Sequence, residues 1–309
     1  MQKPIKFLSL CTVIFGAVFF IYSCEKNKNN NPELQGESIT FFVDETLMPV
    51  MEDVKAVFES SRPDTVNLIA KSETEIVKLI TEKKADRIVM ARTLTPGEEN
   101  AYRKEKIVPV VTQIGIDGIA LVVNQKSQDS IVELDQIIDF LKGKPLPKFK
   151  GLVFDNPNSG TVAFFKEKAG IENLPSNVFS QKNNNEVLKF IAENDGYIGV
   201  VGVNWITQPM PEMQKFTNQL KVLAVKNVKI SKDDNYYKPT QSNLGEGKYP
   251  LVRKIYMLNY EGTRGLGTAF VSFTAGSIGQ KIFLRAGLAP ARLELREVKV
   301  RPEIDQNQN

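Results

Sequence analysis

Asp155-Asn156-Pro157-Asn158-Ser159-Gly160-Thr161 sets two hydroxyls, a glycine and an amide-rich turn between an apolar run, residues 151–154, and a helical pattern, residues 162–169. A strand that stops, a loop carrying Pro and Gly, and a helix that starts directly afterwards form a seat for an anion. N–H groups at the helix start lack intrahelical partners and the positive end of the dipole lies there, so an oxyanion can be held without any cationic side chain. Asn, Ser and Thr are also the preferred helix N-caps, so the loop taken alone reads equally as a structural turn.

The same grouping occurs twice more. Residues 38–43 form a strand pattern followed by Asp44-Glu45-Thr46 and a helix with Leu47, Val50, Met51, Val54 and Val57 at helical spacing. Residues 65–70 repeat it, with Ser72-Glu73-Thr74-Glu75 ahead of Ile76, Leu79 and Ile80. Ser72 and Glu75 have capping-box spacing, which leaves a cap and a ligand hydroxyl both open for Ser72. A third strand, residues 87–91, ends on Arg92.

The 309-residue chain has no His, which removes His-based triads, His general bases and His-containing zinc sites. Ser159 as a nucleophile would need Lys or a carboxylate as base, and no Ser-x-x-Lys pair stands in the loop. Lys166 and Lys168 read as solvated. The chain is therefore expected not to be an enzyme and to need no metal or cofactor. A net charge of +4, with no basic run interleaved with aromatics, gives no footprint for nucleic acid.

These turns need a frame to bring them together. Thr95-Pro96-Gly97-Glu98-Glu99 predicts the start of a short helix, residues 108–114 an extended segment, and Ile114 to Asn124 a buried strand whose Asp117-Gly118 step suits a crossing between lobes. Helices are predicted over residues 134–141, 186–193, 268–274 and 277–286, and strands over 197–201, 220–225 and 255–260, with a last edge strand at 298–300. The polar stretch 227–247 predicts an exposed loop and the return crossing. Trp205 with Tyr197 reads as core or lobe-interface packing, and Arg285, Arg292, Arg296 and Arg301 as a solvated face. Strands alternating with helices argue for an α/β chain of mainly parallel sheets, with ligand sites at the strand C-termini.

The N-terminus is a processing signal rather than fold. Lys3 and Lys6 precede an apolar run, residues 7–22, too short for a comfortable membrane span and closed by Ser23-Cys24. A small residue directly before Cys resembles a bacterial lipobox, which implies removal of residues 1–23 and lipid on Cys24; a plain signal peptide or a signal anchor are the alternatives. Cys11 would leave with the signal, so the mature chain would have no disulfide. Residues 24–36 read as a flexible tether and 302–309 as a disordered tail.

Several stretches together resemble the phosphate-binding proteins of ABC uptake systems, within the type II periplasmic-binding-protein superfamily. Gly115-Ile116-Asp117-Gly118-Ile119-Ala120 with Val122-Val123-Asn124 is similar to that family's central strand. Asn158-Ser159-Gly160-Thr161 resembles its ligand loop, Asp195-Gly196-Tyr197-Ile198-Gly199 a later turn, and Tyr249-Pro250-Leu251-Val252-Arg253 the return crossing. Residues 134–143 resemble the helix after the central strand, and residues 270–290, with Gly279-Gln280-Lys281 and Ala286-Gly287, the terminal helices.

The resemblance implies two α/β lobes joined by two crossings, one lobe built from residues 37–118 and 248–301 and the other from 119–247. It implies capture of phosphate or a related small oxyanion by lobe closure, ABC permease subunits as partners, and a monomer exported and lipid-anchored at the cell envelope, on the periplasmic side in a diderm. Carried over position by position, Thr46 and Ser72 would offer hydroxyls, Arg92 a guanidinium, Asp117 a carboxylate near the cleft, and Asn158, Ser159, Gly160 and Thr161 the donors of the second lobe.

The departures bear on the ligand. Val162 stands where the family typically has Arg, Asp44-Glu45 replaces a Gly- and Ser-rich turn, Lys71-Ser72-Glu73-Thr74-Glu75 replaces a Ser and Gly cluster, and Met90-Ala91 replaces a Ser pair. At about 4 Å and an effective dielectric near 20, each like charge facing the anion costs on the order of 4 kcal/mol before screening. A carboxylate such as Asp117 can face the anion only where the ligand donates a proton, which phosphate does and sulfate at neutral pH does not. The alternative is a module of the same fold with an altered ligand, acting as an envelope sensor or partner-recognition subunit.

Overall fold

The computed structural model describes residues 36–227 and 234–291. The expected signal segment with Cys24, the tether up to Gln35, the strand at 298–300 and the tail lie outside them.

In chain order the first three strands are β1 (Ser38–Asp44), β2 (Thr65–Lys71) and β3 (Arg87–Met90), joined through α1 (Met48–Glu59) and α2 (Glu73–Thr81). β1 lies between the other two and parallel to both. Phe41 and Val43 point inward from β1, and Pro49 sits in the first turn of α1, where its missing N–H is not needed. The short α3 (Asn100–Arg103) then leads into β4 (Val110–Asn124).

β4 has 15 residues and so runs about 50 Å at roughly 3.3 Å per residue. It is followed by β5 (Ile131–Glu133), α4 (Leu134–Leu141), β6 (Gly151–Phe154), α5 (Gly160–Ala169), β7 (Val178–Ser180), α6 (Asn184–Glu193), β8 (Tyr197–Gly202), α7 (Asn204–Thr207) and α8 (Gln214–Thr217). The chain returns through β9 (Leu220–Val222), β10 (Ala224–Lys226), α9 (Gln241–Gly245), β11 (Val252–Asn259), α10 (Leu266–Ala275), α11 (Ser277–Arg285) and β12 (Ala289–Pro290).

The strands form a mixed α/β sheet in the order β2-β1-β3-β11-β4-β8-β6-β7, with β9 and β12 also on β4 and a separate β10-β5 pair. β4 is the element both lobes share. Its first part pairs with β11, up to Gly118 opposite Val252, and its second part pairs with β8 from Ile119 opposite Gly202. The return crossing lies beside it: the Tyr249 hydroxyl donates to the Ile119 carbonyl at 2.6 Å, and the Ile119 N–H donates to the Leu251 carbonyl at 2.8 Å. Gly118 lets the crossing pack closely here: a Cβ on it would stand 2.6 Å from Leu244 Cδ2 and 3.2 Å from Pro239 Cβ, so Leu244 would have to shift.

Each lobe has its own aromatic packing. Phe270 meets Phe41 at 5.2 Å and Phe58 at 5.1 Å in the first, and Phe154 meets Phe165 at 5.3 Å in the second. Such contacts add to burial because offset and edge-on ring pairs are mutually attractive.

Several expectations change. The extended segments before and after Ile114 are one continuous strand. The strand expected at 220–225 is two, β9 and β10, in different sheets, with buried Leu223 at the break. The stretch 227–247 is not all exposed loop: its described part contains α9, whose Leu244 is buried against the crossing. Thr95 to Glu98 form a turn, and the helix begins only at Asn100. In α1, Val57 faces solvent and Phe58 takes the buried position.

Candidate functional site

β1 ends at Asp44, whose side chain caps the turn that follows. Asp44 Oδ1 accepts from the Thr46 N–H at 3.0 Å and from the Thr46 hydroxyl at 2.9 Å, and both residues are fully buried. The second lobe grips the same residue. The Thr46 carbonyl accepts from Trp205 Nε1 at 2.9 Å and from Asn204 Nδ2 at 3.3 Å, so Trp205 is an interlobe contact.

Ser72 is spent on its own helix. Its hydroxyl donates to Glu75 Oε2 at 2.9 Å and accepts from the Glu75 N–H at 3.4 Å, closing a capping box at the start of α2. The hydrogen bonds from the Ser72 backbone and hydroxyl hold the Glu75 carboxyl below its ordinary pKa. Arg92 leaves β3 and is clasped by acids. Its Nε donates to Glu73 at 2.8 Å and its two Nη atoms meet the two oxygens of Glu98 at 2.9 Å each, the fork geometry that suits carboxylates.

In the second lobe, Ser159 is the N-cap of α5, accepting from the Val162 N–H at 3.3 Å. Its proton goes to Asp155 Oδ1 at 2.6 Å, while Asp155 Oδ2 accepts from Asn184 Nδ2 at 3.1 Å. Burial pushes the Asp155 carboxyl up to about 7. Gly160 and Thr161 follow, both buried. Asn158 sits exposed at the rim, its carbonyl 3.4 Å from both the N–H and the hydroxyl of Thr74 in the facing lobe.

The cation that joins these pieces is Arg253, which belongs to the return crossing and is absent from the site residues the sequence predicts. It is 4 % exposed. Its Nη2 lies 2.5 Å from Asp117 Oδ2 and 3.5 Å from the Thr46 hydroxyl, its Nε 3.2 Å from Asp117, and its Nη1 3.3 Å from the Thr161 hydroxyl. Burial works against its charge, but Asp117 and Asp44 outweigh that and hold it protonated. Thr46, Asp117, Arg253 and Thr161 thus meet at one point between the lobes. Val162, where the family pattern has Arg, faces inward among Ile119, Phe154 and Phe165 in the core of the second lobe.

The electrostatics have a consistent pattern: apart from Thr161, whose hydroxyl accepts from Arg253, the hydroxyls and guanidinia of these turns are partnered by the chain's own carboxylates. Thr46 is bound to Asp44, Ser72 to Glu75, Arg92 to Glu73 and Glu98, Ser159 to Asp155, and Arg253 to Asp117. Asp44 Oδ2 and Asp117 Oδ1 are buried acceptors without a hydrogen-bond partner among the described residues. Burial raises the pKa of Asp44 and of Glu73, against the pull of Arg253 on the first and Arg92 on the second. A cavity of about 60 Å³, room for roughly four waters, lies between Glu73, Arg92, Gly160, Phe164 and Arg253.

A family model described as PBP superfamily domain matches residues 29–277. The chain belongs to the PBP superfamily. Solved structures of this fold resemble it at low identity. A candidate phosphate ABC transporter substrate-binding protein with bound phosphate, from Clostridium perfringens, is 18% identical with a TM-score of 0.66, the match covering 83% of this chain and 100% of that one. An ABC-type phosphate transport receptor from Vibrio cholerae is 18% identical with a TM-score of 0.61, covering 81% and 99%. PstS from Borrelia burgdorferi is 17% identical with a TM-score of 0.51, covering 82% and 98%. No curated protein sequence matches the chain. Within this PBP superfamily fold, Arg253 could have been found only by pairing it with Asp117, from which it is 136 residues distant in sequence.

Proposed function

We propose that this protein is an extracytoplasmic solute-binding protein that captures phosphate or a related small oxyanion by lobe closure and passes it to ABC-type permease subunits. The observation that carries the reading is the convergence of Thr46 and Thr161, one from each lobe, on the buried Arg253 guanidinium. The unpartnered Asp117 Oδ1 favours an oxyanion that keeps a proton, which it can accept, over sulfate. In this reading Thr46, Asp117, Ser159, Gly160 and Thr161 line the seat, with Arg92, Ser72 and Asn158 around it. In this reading the described parts of the lobes are residues 37–118 with 248–291, and 119–227 with 234–247. The chain acts without covalent chemistry, as a monomer, held to the membrane through lipid on Cys24; among the described residues no helix is long and apolar enough to cross a membrane.

Thermal unfolding in a phosphate series tests the ligand. Phosphate at about 100 times its Kd stabilises by roughly 2.7 kcal/mol, and no shift with phosphate while another solute gives one ends the phosphate claim. Palmitate labelling in a bacterial host, lost in Cys24→Ala, tests the anchor. The pairing of the cleft's hydroxyls and guanidinia with internal carboxylates favours a second reading, an envelope sensor or partner-recognition module. Equal retention of a membrane protein with and without added oxyanion supports that reading over the first.

A further inference from the structure

Asp44 crosses the space between the lobes. It ends β1 in the first lobe, yet its Oδ2 lies 2.3 Å from where a Cβ on Gly160, at the start of α5 in the second lobe, would stand. Glu73 Oε2 is 3.0 Å from the same point. The start of α5 is where N–H groups and the positive dipole end favour an anion, and a carboxylate already lies against it. The Asp44 side chain is fixed there, because its other oxygen holds both the N–H and the hydroxyl of Thr46. Its free oxygen is fully buried and has no partner among the described residues.

The charges around Asp44 come from every element packed on it. Arg253 on β11 and Arg92 after β3 attract it, Glu73 on α2, Asp117 on β4 and Glu45 beside it repel it, and Asp155 adds a carboxylate behind α5. The two guanidinia are themselves bound to Asp117 and to Glu73 with Glu98. An incoming oxyanion therefore meets a fixed carboxyl group at the helix start it would use, together with a Thr46 hydroxyl whose proton is already given away.

We propose that Asp44 is the residue that sets affinity and specificity at this seat: a built-in competitor whose carboxylate holds the α5 start against the oxyanion. The inference rests on the solute-capture reading and deepens it, since a chain with an uncharged residue at position 44 is then a tighter oxyanion binder than the natural one. Asp44→Asn keeps the shape and an acceptor for Thr46 while removing the charge. Asp44→Ser removes the reach toward Gly160 as well and retains a cap for the turn.

The test is inorganic phosphate binding by full-length protein and both variants, measured by isothermal titration at pH 7.5 with circular dichroism and melting curves to establish folding. The expected result is at least tenfold tighter phosphate binding in Asp44→Asn and in Asp44→Ser, with a smaller gain in Glu73→Gln. Unchanged phosphate affinity in folded Asp44 variants overturns the proposal. Weaker affinity overturns it in the opposite sense, making Asp44 an acceptor of the ligand's proton. If the natural protein and both variants fold but none binds phosphate, the solute-capture reading itself fails and the proposal falls with it.

Discussion

Arg253 and Asp117 stand directly opposite one another on the antiparallel strands β11 and β4, and their side chains meet at 2.5 Å with 2% and 0% exposure. A pair so placed is a cross-strand contact taken out of water, where removal of one partner strands the other's charge. Arg253→Met should therefore cost about 3–5 kcal/mol in urea unfolding. Arg253→Met combined with Asp117→Leu should recover most of that loss, because neither member of the pair is left buried without the other. Phosphate binding should be lost in both. A stable single variant that still binds phosphate would mean the guanidinium neither holds the crossing nor meets the ligand.

Val162 gives a second, independent prediction. The family pattern suggests that an Arg there would reach the anion, but the side chain is 1% exposed and packed among apolar residues of the second lobe. Val162→Arg should unfold the second lobe or cost at least about 3 kcal/mol, with no tightening of phosphate binding. Chemical denaturation beside a phosphate titration reads both at once.

The strands and helices that carry the polar turns were legible because their periodicity is simple: β1, β2 and β3 each precede a polar turn, two of them with a helix directly behind. Ser72 was legible as a cap from the spacing to Glu75 alone. Arg253 was not, because only the register of β11 on β4 sets it opposite Asp117, and register is a property of two strands distant in sequence. The Thr95 to Glu99 stretch predicts a helix start, whereas the Glu98 carboxylate is bound by Arg92 in a turn. The acids of the cleft were visible as departures from a pattern, but sequence carries no sign of which way Asp44 points.

Asp155 predicts how stability depends on pH. Its carboxyl is pushed to about 7 in the folded chain by burial, against about 3.9 in an unfolded one, so between those values the folded state holds the extra proton. Stability from this group is complete below the lower value and lost as pH rises through the upper, at about 1.4 kcal/mol per pH unit. Asp155→Asn removes that slope. Its amide can still accept from Ser159, and after a flip of Asn184 its Nδ2 can donate to Asn184 Oδ1, which lacks a partner among the described residues. Urea unfolding should show a gain over the natural protein of about 1.5 kcal/mol at pH 5, rising to about 4 kcal/mol at pH 8. Parallel pH profiles for the two proteins would remove Asp155 as the source.

Trp205 is the single tryptophan in the chain, and its indole N–H bonds the Thr46 carbonyl across the lobes, so its fluorescence reports whether they meet. Gly160→Ala should break that contact. The new methyl would stand 2.3 Å from Asp44 Oδ2 and 3.0 Å from Glu73 Oε2, and Asp44 cannot swing aside without releasing Thr46. The expected outcome is a red-shifted emission with unchanged far-ultraviolet circular dichroism and a stability loss of about 1–3 kcal/mol. Adding Asp44→Ala should restore the emission, because the oxygen that collides with the methyl is gone. A red shift that persists in the double variant would show that the collision is with something other than Asp44, and an unshifted Gly160→Ala protein would show that the lobes can meet without this close approach.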